Sequence, residues 1–111
     1  MKKFNHVIVR RPCKAMVEGI TSAPELGKPD YELALKEHDA YIEALKQCDV
    51  DVTVLEADER YPDSCFVEDP ALITRKCAII TNPGAASRNG EKDEIVGAVK
   101  KFFSDDQIEY I

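Results

Sequence analysis

Tryptophan is absent from this chain and histidine nearly so, with only His6 and His38. Zinc sites want clustered thiols and imidazoles, and the four cysteines, Cys13, Cys48, Cys65 and Cys77, are far apart with no C-x-x-C pair. No metal is expected. No apolar run approaches the roughly 20 residues of a membrane span, so no membrane partner is expected. The start, MKKFNHVIVRRP, sets only Val7, Ile8 and Val9 between charges, too short for a signal-peptide core. A soluble, cytoplasmic protein with reduced thiols follows as the expectation. Basic excess is also missing: 15 Lys and Arg face 21 Asp and Glu, a net charge of −6. Nucleic acid, which needs a basic stripe, is not an expected partner.

What is present is an ordinary globular composition. The 111 residues are 44% hydrophobic and 32% charged, enough apolar surface to offset the entropy of ordering one modest domain. Val7–Val9 suits a buried strand, and residues 13–29, with Gly19, Thr21, Ser22, Pro24, Gly27 and Pro29, read as a long irregular loop. Asp30 can cap a helix running to about Cys48. Tyr31, Ala34, Leu35, His38, Ile42 and Leu45 recur at helical spacing, with Glu32, Lys36, Asp39, Glu43 and Lys46 opposite. His38 on that stripe reads as a satisfied boundary histidine.

Residues 49–55 alternate polar and β-branched side chains, as a half-buried strand does. Phe66-Val67 and Leu72-Ile73 suggest short extended pieces, and residues 77–81 another strand. A second helix is expected over 91–103, with Ile95, Val96, Val99, Phe102 and Phe103 inward, and a further strand from Ile108. The order β-α-β, short strands, β-α-β places the chain in the α/β class. No glycine-rich phosphate loop follows the first strand, so no dinucleotide cofactor is expected.

The densest chemistry lies in Asp58-Glu59-Arg60-Tyr61-Pro62-Asp63-Ser64-Cys65-Phe66-Val67-Glu68-Asp69-Pro70. Read as an extended segment drawn coreward by Phe66 and Val67, it leaves Asp63, Glu68 and Asp69 near apolar surface. Carboxylates so placed need a cation, and the forked donors of a guanidinium fit them best. That guanidinium could belong to a ligand or to the chain's own Arg60, Arg75 or Arg88. Cys65 is closest to the carboxylates, whose charge raises a thiol pKa, and neither histidine is near it in sequence. It makes a poor nucleophile.

The stretch DERYPDSCFVEDPALIT resembles the signature of dimethylarginine dimethylaminohydrolases, in the guanidino-modifying pentein superfamily. The likeness extends through VEGITSAPELGKPDY, the helix, and CAIITNPGAASRNGE, over essentially the whole chain. It implies an α/β fold made of the N-terminal two ββαβ-type modules of a five-module α/β propeller. Residues 1–111 would be an incomplete N-terminal portion of that domain. It implies hydrolysis of Nω-methylated L-arginine to citrulline and a methylamine without a cofactor. Asp69 would grip the guanidinium, Asp63 and Glu68 would orient the substrate, Arg88 would take its α-carboxylate, and Ile20 would contact it from the loop. The catalytic cysteine and histidine of the family are expected beyond residue 111, so this chain alone is expected to be inactive. Self-association or a missing C-terminal half are the expected partners besides the small-molecule substrate. A non-catalytic guanidinium-binding or interaction module and an arginine deiminase-type enzyme are the alternatives.

Overall fold

A computed structural model describes residues 4–111, which fall into two units that divide after Cys65. The charged start at residues 1–3 lies outside the described residues.

In the first unit, strand β1 (His6–Arg10) pairs in parallel with β2 (Asp51–Leu55), in a register that sets Ile8 opposite Thr53. Parallel neighbours need a crossover, and helix α1 (Tyr31–Gln47) supplies it. The Asp30 side chain accepts the N–H of Leu33 at 3.0 Å, the expected N-cap. The apolar stripe also holds. Ile42 is buried and Tyr31, Ala34, Leu35, His38 and Leu45 are half-buried, while the charged residues assigned to the opposite face are exposed. The helix ends through Asp49, which takes the left-handed conformation at φ 59° that glycine usually fills. This turn is why β2 starts at Asp51 rather than at residue 49.

Between β1 and α1, the long loop holds two short 3₁₀ turns, Lys14–Glu18 and Pro24–Leu26. Gly27, at φ 82°, sits in backbone space that side chains disfavour.

The second unit has the ββαβ order. Strands β3 (Ala71–Ile73) and β4 (Ala78–Ile80) form an antiparallel hairpin, and β5 (Ile108–Tyr110) joins β4 in parallel. Thr74 closes the hairpin turn, its Oγ1 donating to the Cys77 carbonyl and accepting the N–H groups of Lys76 and Cys77. A single turn, α2 (Ala86–Asn89), leads into α3 (Glu91–Val99). Ala71, Ala78, Ile80, Ile95, Ala98, Val99 and Ile108 are the buried apolar residues of this unit. Burial of an Ile or Val side chain contributes about 1.5–3 kcal/mol, so this small set dominates the unit's cohesion.

Two expectations fail here. The helix stops at Val99 instead of residue 103, and Phe102, expected inward, lies in the following turn and is exposed. Residues 62–65 and 67–70 are successive turns rather than an extended strand, and Phe66 is 48% exposed. Pro62, Pro70 and the Asp-Ser pair outweigh the two apolar residues between them. The face alternation inferred for Glu68 and Asp69 therefore does not apply. No helix among the described residues is long and apolar enough to cross a membrane.

Candidate functional site

The acidic segment folds into turns, and Asp58, Glu59, Asp63 and Asp69 each have a partner of their own. In the first unit, Arg60 grips Asp58 through two bonds, Nε at 3.0 Å and Nη2 at 2.9 Å, and its guanidinium also lies over the Tyr61 ring. The Arg60 bond holds the Asp58 carboxyl below the ordinary carboxylate range, against the opposing effect of burial. Glu59 accepts the N–H groups of Lys14 and Ala15, both at 3.0 Å, and so caps the first 3₁₀ turn of the loop.

Asp63 accepts the N–H of Ile20 at 3.1 Å, and Ile20 points outward at 62% exposure. Two residues singled out from the sequence, Ile20 and Asp63, are thereby joined. Glu59 and Asp63 attach the loop at two points, and the Glu59 attachment was missed because an exposed acid in a polar turn carries no distinctive spacing. Cys13, 1% exposed, opens the loop with its thiol directed at the Tyr61 and Pro62 carbonyls. Burial, and then the Glu59 charge, push that thiol up.

In the second unit, Asp69 and Arg88 meet. Arg88 Nη1 donates to Asp69 Oδ2 at 2.5 Å, and Nη2 reaches the Phe66 carbonyl at 3.2 Å. The opposite edge of the guanidinium donates to Glu91, Nε to Oε2 at 2.8 Å and Nη2 to Oε1 at 2.7 Å. Arg88 is 14% exposed and Glu91 3%. The Glu91 carboxylate, outweighing burial and helped by Asp69, holds the guanidinium charged well above the ordinary arginine range. In the sequence Glu91 stands out only as the start of a helix. The Arg-x-x-Glu spacing, which puts both side chains on one helical face, is the signal that could have found it. Glu68 is exposed in the turn beside Asp69.

His38 departs from its expectation. It is half-buried beside Tyr41, as a boundary residue, but its Nδ1 is buried with no partner among the described residues. All four cysteines are thiols, and no group of three or more metal-ligating side chains gathers among the described residues.

The mixed α/β arrangement of these elements recurs in a solved structure of low sequence identity. The solved N-terminal domain of ArgZ, a cyanobacterial arginine dihydrolase, shares that fold at a TM-score of 0.77, with 13% identity over 98% of this chain and 39% of its own. The family model described as N,N dimethylarginine dimethylhydrolase, eukaryotic, matches residues 26–110, and the chain belongs to this family. The N(G),N(G)-dimethylarginine dimethylaminohydrolase of Pseudomonas aeruginosa is 57% identical over 100 residues, 90% of this chain. A solved structure of the Pseudomonas aeruginosa enzyme, a cysteine-to-serine variant complexed with citrulline, matches at a TM-score of 0.94 and 55% identity. That match covers 97% of this chain and 42% of the solved one. The chain spans 39% of the length of the curated Pseudomonas relative.

Proposed function

We propose that residues 1–111 form the N-terminal, substrate-binding portion of a cytoplasmic hydrolase acting on Nω-methylated L-arginine. Asp69 takes the ligand guanidinium, Arg88 takes the α-carboxylate, and Asp63, Glu68 and Ile20 fix the ligand's orientation. The chemistry is nucleophilic. A cysteine thiolate attacks the guanidinium carbon, the methylamine leaves, and water releases citrulline from the covalent intermediate. In this reading the cysteine and its histidine partner lie outside residues 1–111, and a C-terminal portion supplies them.

One observation carries the proposal: Asp69 already accepts a guanidinium N–H, that of Arg88, in charge-assisted geometry at 2.5 Å. A carboxylate and a guanidinium engaged with each other can exchange partners with a ligand bearing both groups.

Titration calorimetry with Nω-methyl-L-arginine tests this reading. The chain is expected to bind the ligand, and Asp69→Ala to lose at least about tenfold in affinity, the effect of one hydrogen bond to a charged group. An absence of binding by the unaltered chain, or equal binding by the variant, overturns the reading.

A further inference from the structure

Arg88 presents its guanidinium by two edges with different surroundings. The Nε–Nη2 edge lies fork to fork on Glu91, at 2.8 and 2.7 Å, and Glu91 is 3% exposed. The Nη1 corner points the other way, to the exposed carboxylate of Asp69. Arginine is a long side chain with large rotamer freedom, and a single contact would leave the plane of its guanidinium undefined. Paired parallel bonds to one carboxylate fix both its position and its rotation. The backbone adds to this. Arg88 lies in the α2 turn and Glu91 opens α3, three residues on, and Gly90 between them keeps a helical conformation (φ −69°, ψ −14°), so the pair stands on neighbouring positions of one helical face.

We propose that Glu91 is a positioning residue that clamps the inner edge of Arg88 and thereby aims Nη1 at an anionic ligand group, a place held by Asp69 in this structure. The inference rests on the reading of Arg88 as the carboxylate-binding residue and adds the group that gives that arginine its direction. Without the clamp, Arg88 keeps its charge and the longer Nη2 contact to the Phe66 carbonyl, at 3.2 Å, but loses the paired bonds that fix its plane. Ligands that carry a carboxylate should then suffer selectively. A purely structural role for the pair would weaken every ligand alike.

The test is calorimetry of the full chain with Nω-methyl-L-arginine and with agmatine, the arginine skeleton without its carboxylate. The unaltered chain should prefer the carboxylate-bearing ligand. In Glu91→Gln its affinity for that ligand should fall about tenfold while agmatine binding stays within about twofold, the difference being one charge-assisted contact. Glu91→Asp, which keeps the charge on a shorter arm, should fall between. Equal losses for both ligands, or no loss for either, overturn the clamp. If the unaltered chain binds neither ligand, or both equally, the carboxylate role of Arg88 fails, and the ligand-aiming role of Glu91 fails with it.

A second measurement separates the clamp itself from that reading. The Arg88 Nε–H should exchange slowly with water in the unaltered chain, as followed by nitrogen-proton correlation spectra, and rapidly in Glu91→Gln. Slow exchange that survives the substitution overturns the clamp without reference to any ligand. Should Glu91→Gln not fold, Glu91→Asp carries both measurements with the same signs and smaller effects.

Discussion

Asp63 and Gly19 are fitted to each other: the Asp63 carboxylate occupies the space a side chain at Gly19 would need, while its other oxygen accepts the Ile20 N–H at 3.1 Å. A Cβ at Gly19 would collide with Asp63 Oδ1 and crowd the Met16 carbonyl, 3.1 Å away. Space, and not an unusual backbone angle, requires glycine here.

Gly19→Ala should therefore break the Asp63 attachment and cost about 0.5–1.5 kcal/mol, the net worth of one hydrogen bond. Urea unfolding gives the stability change, and hydrogen exchange at the Ile20 amide gives its location. Unchanged Ile20 protection in the variant would contradict the fit described.

Glu59→Ala removes the acceptor for the Lys14 and Ala15 N–H groups. Both bonds are solvent-exposed, so the expected loss is modest, about 1–2 kcal/mol. The sharper readout is limited proteolysis, in which cleavage within residues 13–29 should speed up relative to cleavage elsewhere. Identical digestion patterns would rule the attachment out.

Asp49 holds the left-handed position that ends α1. Replacing it with glycine removes the steric cost of a side chain there, and Asp49→Gly should stabilise the protein by about 0.5–1 kcal/mol. A lower thermal midpoint in this variant would mean that the Asp49 side chain contributes more than its conformation costs.

His38 supplies a pH dependence. Burial first, and then the Arg11 charge, push its pKa below the ordinary imidazole value, with Asp39 acting the other way. The unfolded chain thus takes up this proton first as pH falls. The contribution of His38 to stability is fully present above about pH 6.5, the unfolded value, and declines below it until the folded protein is itself protonated at this site. Denaturant midpoints between pH 7.5 and 5 should fall less steeply in His38→Gln than in the unaltered chain. Parallel curves would exclude His38 as the source.

The long helix was legible in the sequence because two independent signals agree there, the Asp30 cap and the apolar stripe from Tyr31 to Leu45. Strand β2 was legible from strict alternation. The acidic segment was not. Phe66 and Val67 suggested an extended run, yet turn-forming residues on both sides decide the backbone and leave Phe66 exposed. Phe102 misled in the same way, since apolar character at helical spacing cannot say where a helix stops. Asp63, Asp69 and Arg88 stood out by charge and by family resemblance. Glu91 did not, because a buried acid becomes distinctive only when the arginine it faces is seen.

Cys13 and Cys48 differ in a way that makes the loop measurable. Cys48 is exposed at the end of α1, whereas Cys13 is buried at the start of the segment that Glu59 and Asp63 fasten down. An alkylating reagent can reach the first at once and the second only during moments when that segment lifts. The ratio of the two labelling rates therefore reports how often the loop opens, without any introduced probe.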